Sequence, residues 1–193
     1  MTTVEEHPFE PFLPENGNVL FLGSFPPPRI RWSMEFYYPN WQNDFWRIIG
    51  LIYFQDIHYF EIRNEKRFDK PKVLSFCENK GFAFYDSASK VCRLKDNASD
   101  NSLQIVEPSD IVPLLERMPR CGVIVTTGGK SSEELASILS SEKVPSIGSG
   151  ITVRIIGRSV KWFRAPSSSR AYPMSVQRKA ATYREVFEAC GLI

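Results

Sequence analysis

The feature that most constrains this chain is a short apolar run that ends in glycine and is soon followed by three prolines. Residues 19–22 are Val-Leu-Phe-Leu, the pattern of a strand buried on both faces, and Gly23 follows them. The prolines at 26–28 prevent both helix formation and ladder pairing directly after this strand. We therefore predict a buried strand at 18–22 and a rigid, aromatic loop at 23–42.

Predicted helices and strands alternate along the rest of the chain. The predicted helices cover 43–53, 71–80, 109–118 and 175–190, with another opened by a capping box at Ser131-x-x-Glu134. The predicted strands cover 82–85 and 123–127, with a hairpin at 151–156 and 160–164. Residues 1–16 are expected to form an extended arm, 54–69 an irregular excursion and 86–106 a long polar loop. This order predicts a single three-layer α/β/α domain over 1–193 with a mostly parallel central sheet.

Composition excludes several classes of protein. The sequence contains no apolar run near the roughly 20 residues that span a bilayer, and its acidic, proline-containing start does not resemble a signal peptide. The four cysteines are far apart and form no CxxC pair, which argues against a zinc site, an iron–sulfur cluster and a disulfide framework. We expect a cytoplasmic protein with reduced thiols and no metal, cofactor or membrane contact.

Positive charge is concentrated near the carboxyl terminus. Residues 151–193 hold 8 basic and 2 acidic side chains, whereas the preceding 150 residues hold 16 basic and 20 acidic ones. The balances are therefore +6 and −4. A localised basic surface would suit a phosphate backbone. The alternative, that the last helix only carries a solvated charged face, is equally consistent with the charge pattern.

A second loop follows the last predicted strand. It reads Ala165-Pro-Ser-Ser-Ser-Arg170 and continues to Tyr172. Because it leaves a strand as the first loop does, both should meet at one sheet edge, where open α/β sheets bind ligands. Its serines can donate to phosphate oxygens, although the same residues would also suit a rigid connector into the last helix. We find no nucleophile constellation around His7 or His58, and expect each histidine to be structural or exposed.

Together the two loops resemble the uracil-DNA glycosylase superfamily. Its first motif, Gly-x-x-Pro after a strand, is matched by residues 23–26, and its second, x-Pro-Ser before the last helix, by residues 165–167. The Pro-Ser-Ser-Ser-Arg form resembles the mismatch-specific branch, whereas Tyr37-Tyr38 and Asn43-Asp-Phe-Trp46 resemble the hypoxanthine branch. The chain departs from the family at Phe25 and Ala165, where other branches hold catalytic side chains, and it lacks the iron–sulfur cysteines.

The resemblance implies a monomeric, monofunctional DNA glycosylase of base excision repair that flips a deaminated base, uracil by preference, out of damaged DNA. Alternatives are a hypoxanthine-DNA glycosylase and a non-catalytic DNA- or nucleotide-binding protein of the same fold. Asn43 would position water or simply cap a helix, and Asp86 would read the base edge or end a strand. The expected base pocket comprises Gly23, Ser24, Phe25, Pro26, Phe36, Tyr37, Tyr38 and Asp86. The expected DNA contacts are Pro166, Ser167, Ser168, Ser169, Arg170 and Lys179, with Arg170 as the wedge.

Overall fold

A computed structural model of the chain describes residues 3–94 and 103–193. The strands are β1 Val4–Glu6, β2 Val19–Gly23, β3 Glu61–Ile62, β4 Arg67–Phe68, β5 Phe82–Asp86, β6 Ala88–Arg93, β7 Leu103–Pro108, β8 Val123–Thr127, β9 Gly150–Ile155 and β10 Arg158–Ala165. The α-helices are α1 Phe45–Phe54, α2 Lys70–Lys80, α3 Val112–Arg117, α4 Gly129–Ile138 and α5 Val176–Cys190. No helix in these two ranges is long and apolar enough to cross a membrane.

The central sheet has five strands in the order β5-β2-β8-β10-β9. The first four run parallel, and β9 forms an antiparallel hairpin with β10. The predicted mostly parallel sheet is therefore confirmed. All five residues of β2 are buried, and successive side chains of this strand enter two different hydrophobic clusters. Burial on both faces explains why the run 19–22 is continuously apolar rather than alternating.

Helices supply the remaining walls of these two clusters. Residues of α1, α2 and α5 join the cluster that contains Phe21, and residues of α3 and α4 join the one that contains Leu22. The three-layer arrangement itself stays a prediction. Gly81 and Gly191 end α2 and α5 in the left-handed conformation, with φ of 69° and 73°, which glycine adopts readily.

The register of the parallel strands aligns their carboxyl ends at one edge. Gly23 at the end of β2 pairs with Asp86 at the end of β5, and Ala165 at the end of β10 pairs with Thr127 at the end of β8. The loop after β2 and the loop after β10 therefore leave the same edge. Both loops can therefore contribute to one site, as predicted from the parallel strands.

A second sheet corrects the predicted loop at 86–106. Within the described residues, β6 and β7 pair antiparallel and β1 of the arm adds to β6, which makes a three-stranded sheet. The loop prediction is wrong for these strands; residues 95–102 lie outside the described residues. Only a few side chains, including Val91 and Leu103, are buried there, against Phe25. Several other side chains of the sheet, such as Ser89, Lys90 and Glu107, are polar because the sheet is partly exposed, so the strands lack a clear apolar pattern in the sequence.

Three smaller predictions also need correction. Residues 54–69 are not wholly irregular, because β3 and β4 form a short hairpin there. The helix after β8 begins at Gly129, so Ser131 lies inside it, fully buried, and does not cap it. The helix expected at 109–118 begins only at Val112, with Pro113 in its first turn.

Candidate active site

The loops after β2 and β10 enclose a cavity of about 570 Å³ at the carboxyl edge of the parallel strands. Small-molecule sites usually measure roughly 300–1,000 Å³. Most of the predicted site residues line this cavity: Gly23, Ser24, Phe25, Pro26, Tyr37, Tyr38, Asn43, Asp86, Ser167, Ser168, Ser169 and Arg170. Arg31, Asn40, Gln42, Thr127 and Tyr172 also line it and were not predicted. The structure thus brings both loops to one cavity, while the function of each residue stays a prediction.

Asp86 and Gly23 lie side by side in this wall. A Cβ atom on Gly23 would lie 2.3 Å from Asp86 Oδ1, so any larger residue at position 23 would displace the carboxylate. Asp86 is 7% exposed, and it is the only acidic residue among the described residues that line the cavity. A single buried carboxylate in a cavity wall is a specific hydrogen-bond acceptor, since it can present an oxygen to a bound ligand.

His7, from the amino-terminal arm, holds the other oxygen of this carboxylate. Its Nε2 atom lies 3.0 Å from Asp86 Oδ2, and its side chain is only 3% exposed. In the neutral ring, the Phe9 N–H donates to Nδ1; in the charged ring, Nδ1–H would donate to the Phe9 carbonyl oxygen 2.8 Å away. We assign a proton to Nε2 in both cases, so His7 donates to Asp86.

Sequence reasoning missed this contribution of His7. The arm reaches Asp86 because β1 pairs with β6, and the His7 N–H donates to the Ser89 carbonyl oxygen. Aromatic rings surround the imidazole: Phe9, Phe25, Tyr37 and Tyr85. His7 and Asp86 are 79 positions apart, and no spacing rule connects them. The only local signal was a histidine beside the regularly spaced prolines of an extended arm.

The aromatic residues after β2 divide between core and cavity. Phe36 packs in the core against Phe12 and Phe84 and does not line the cavity, so its predicted place in the base pocket is wrong. Tyr37 lines the cavity but is 2% exposed. Burial, and next the charge of Asp86, raise the pKa of the Tyr37 phenol, which therefore stays protonated and donates to the Glu10 carbonyl oxygen.

Tyr38 lines the cavity and has an unusual backbone conformation. It has a left-handed φ of 53°, a conformation that is unfavourable for a bulky residue and is often found at functional sites. Its ring stacks on Phe45 with centroids 3.9 Å apart and planes 7° apart. Its hydroxyl lies 2.8 Å from Thr127 Oγ1 at the end of β8. The ring is thus held firmly in the cavity wall.

Asn43 precedes α1 and also lines the cavity. Its Oδ1 atom accepts a hydrogen bond of 2.9 Å from the N–H of Phe45, the first residue of α1. This bond satisfies one of the free amide groups at the start of the helix. Asn43 thus caps this amide group from the position before the N-cap residue, which is Asp44, so the predicted N-cap position is wrong by one residue. An amide oxygen has a second lone pair, so the bond leaves an acceptor for a water molecule.

Asp44 is the centre of a buried ionic cluster behind the cavity. Its two carboxylate oxygens lie 3.0 Å from Arg170 Nε and 3.0 Å from Lys179 Nζ. Lys179 also donates to the Ser169 carbonyl oxygen at 2.7 Å. The Asp44 N–H donates to the Ser168 carbonyl oxygen at 2.8 Å. These bonds join the start of α1, the serine loop and α5 in one arrangement.

This cluster corrects two of the predicted DNA contacts. Lys179 is fully buried and bound to Asp44, so a phosphate cannot reach its ammonium group. Pro166 is also buried, and its carbonyl oxygen accepts from the Tyr183 hydroxyl at 3.0 Å. Arg170 differs, because its side chain remains 47% exposed and lines the cavity. The serines at 167–169 line the cavity too, as expected for this loop.

The basic residues of 151–193 do not all lie around the cavity. Arg158 begins β10, at the opposite edge of the sheet. There it donates to the carbonyl oxygen of Leu115 in α3 and to that of Pro119, which follows this helix. Arg184 donates to a carbonyl oxygen of α1. The hypothesis of a phosphate-contacting surface over the last 43 residues therefore stays a prediction for the residues other than Lys179. Several of its charges serve internal contacts.

The chain resembles a known protein in its fold. No protein-family model matches the chain, and no curated protein sequence matches it. Its fold is similar to the solution NMR structure of a candidate uracil DNA glycosylase from Methanosarcina acetivorans, with a TM-score of 0.64. The two chains are 22% identical, and the match covers 98% of this chain and 99% of the other. The protein therefore shares the fold of that candidate uracil DNA glycosylase over nearly its whole length.

Proposed function

We propose that this protein is a monofunctional DNA glycosylase that hydrolyses the bond between a deaminated base, uracil by preference, and its deoxyribose. The observation that carries the proposal is the cavity at the carboxyl edge of the sheet, where both predicted loops meet. A glycosylase must take its target nucleotide out of the stack into such a pocket. The fold of the Methanosarcina protein supports the same conclusion. We propose a single three-layer domain that acts as a monomer.

The base is proposed to bind between Tyr38 and Asp86. Tyr38 lines the cavity, and its ring, which stacks on Phe45, would pack against the base. Asp86 Oδ1 would accept a hydrogen bond from a ring N–H of the base. His7 holds Asp86 Oδ2, so it positions the carboxylate without touching the base. Uracil and hypoxanthine both carry such a ring N–H, which is why this wall suits deaminated bases.

Asn43 is proposed to orient the attacking water. The water oxygen bonds to C1′ of the sugar, the bond from C1′ to the base nitrogen breaks, and the base leaves as an anion. The water proton passes to solvent or to the departing base, because an amide accepts a hydrogen bond but is not a base. Rate therefore depends on stabilising the leaving anion. The positive amino ends of α1 and α4, which begin two residues after Asn43 and Thr127, favour negative charge there.

The serine loop and two arginines are proposed to contact the DNA backbone. Backbone N–H groups and hydroxyls of residues 167–169 can donate to phosphate oxygens. Arg170 and Arg31 both line the cavity from exposed positions on different loops. We propose that Arg170 fills the space left by the extruded nucleotide, since a guanidinium can stack on the orphaned base.

The test is incubation with oligonucleotides that contain uracil, hypoxanthine or xanthine, followed by alkali to reveal abasic sites. We expect cleavage at uracil, in EDTA as well as in its absence, since the proposal needs no metal. Cleavage only at hypoxanthine would favour the first alternative. Tight DNA binding without cleavage of any substrate would favour the non-catalytic alternative. Phe25 favours that alternative, because an apolar ring lies against His7 at the position where the resemblance implies a catalytic side chain.

A further inference from the structure

The loop after β2 carries the most exposed large apolar side chain in the described ranges. Ile30 is 94% exposed, whereas the next, Leu94, is 59% exposed. Single exposed apolar residues are common on protein surfaces and need no explanation by themselves. Ile30 differs from such residues in its position beside the cavity, in its charged neighbours and in the hydrogen bonds that hold its backbone.

The backbone holds Ile30 rigidly. It is the middle residue of the 3₁₀ turn Arg29–Arg31, which directly follows three prolines. The Trp32 indole N–H donates to the Pro27 carbonyl oxygen at 2.7 Å. The N–H groups of Arg31 and Trp32 close the turn with bonds of 2.9 and 3.0 Å to the carbonyl oxygens of Pro28 and Arg29. Ile30 is thus an apolar side chain presented on a preorganised tip.

This tip stands next to the mouth of the cavity. Pro27 and Arg31, on either side of Ile30, both line the cavity. Arginines flank the isoleucine directly; the Arg29 guanidinium lies 5.4 Å from the centre of the Trp32 ring and also contacts the exposed Glu35 carboxylate. An apolar side chain between two guanidinium groups matches the surface of duplex DNA, where stacked bases lie between two rows of phosphates.

We propose that Ile30 is a wedge that enters the base stack of duplex DNA beside the extruded nucleotide. The inference rests on the proposed function, since it takes DNA as the ligand of the cavity. Aliphatic side chains inserted between base steps unstack them and bend the duplex. Because the tip is already rigid, insertion costs little conformational entropy. Ile30 separates neighbouring base pairs, Arg29 and Arg31 contact the flanking phosphates, and Arg170 acts from the loop after β10.

The first test compares single-turnover excision of uracil from duplex and single-stranded oligonucleotides. Ile30→Ala should lower excision from the duplex at least about tenfold and leave excision from the single strand within about twofold, because only the duplex must be unstacked. Ile30→Leu should restore most of the duplex activity. Ile193→Ala removes the same atoms from an exposed position just beyond the far end of α5 and should change neither rate. All three variants should melt like the wild type.

A second test does not depend on catalysis. A duplex carries 2-aminopurine next to 2′-fluorodeoxyuridine, whose glycosidic bond resists hydrolysis. Binding of the wild-type protein should raise the 2-aminopurine fluorescence as the step unstacks, and Ile30→Ala should bind with a much smaller rise. Such a rise without excision of any damaged base would refute the proposed glycosylase activity and leave the wedge standing.

Other outcomes would overturn the wedge. Equal losses on duplex and single strand would show that Ile30 only adds general contact, while the glycosylase proposal would stand. A fluorescence rise that is the same for Ile30→Ala would have the same meaning. Self-association of the wild type that Ile30→Ala abolishes, without any effect on duplex opening, would show that the tip joins two copies of the chain. Absence of DNA binding would refute both proposals.

Discussion

Asn43 offers the most informative substitution, because the structure shows one function for it and the proposal adds another. Its Oδ1 atom accepts the Phe45 N–H at 2.9 Å. Asn43→Ala removes this bond, and loss of such a cap costs about 1 kcal/mol of unfolding free energy. In a chain of this size, that loss lowers the melting temperature by about 2–4 °C. If Asn43 also orients water, single-turnover excision should fall at least about a hundredfold, equivalent to about 2.7 kcal/mol of activation free energy.

Two matched variants separate these effects. Asn43→Ser keeps an oxygen that can accept the Phe45 N–H but lacks the reach of the amide, so it should retain stability and lose excision as Ala does. Asn43→Asp keeps both the cap and an acceptor for water, so it should retain or raise the rate. The assay is single-turnover excision from a single-stranded uracil oligonucleotide, well below the melting temperature of every variant.

The catalytic assignment fails under either of two results. If Asn43→Ser excises uracil at the wild-type rate, an oxygen that accepts the Phe45 N–H is sufficient, and the amide does not orient the attacking water. If Asn43→Ala melts early and still excises normally, Asn43 is only a cap. Urea unfolding of each variant supplies the stability control, since it does not depend on substrate.

Three further predictions follow from the same cavity and its surroundings. Arg170→Ala should weaken excision from paired duplexes more than from single strands, where no space needs filling; equal losses would indicate only a general charge effect. Asp44→Ala should cost about 3–5 kcal/mol in urea unfolding because it leaves Lys179 buried without its carboxylate, whereas Lys179→Met should cost less; similar losses would contradict this account. His7→Leu should raise KM for a uracil oligonucleotide, and His7→Gln should restore it by donating to Asp86; no rescue would show that His7 only packs.

Local patterns predicted the elements whose burial is uniform. Strands β2 and β8 read as apolar runs because both of their faces are covered. The glycines that end α2 and α5 were predictable because a left-handed cap is a property of the residue itself. The order of strands and loops was enough to bring the Gly23 loop and the Ser167 loop to one sheet edge, since parallel strands point the same way.

Partly exposed elements could not be predicted in this way. Strands β6 and β7 carry polar residues on an exposed face, and their pairing supplies the backbone hydrogen bonds that a loop would have lacked. Phe36 and Tyr38 belong to the same aromatic run, and only tertiary packing sends one to the core and the other to the cavity.

The sequence by itself determined the mostly parallel sheet, the edge at which the site forms and most of the residues that line it, because strand burial and turn chemistry are local properties. The tertiary structure alone decided the partners of the charged groups. His7 meets Asp86 across 79 positions, and Lys179 meets Asp44 across 135. The sequence does not distinguish a solvated charged side chain from a paired one. Burial, which depends on the whole fold, decides whether a charged side chain needs a partner.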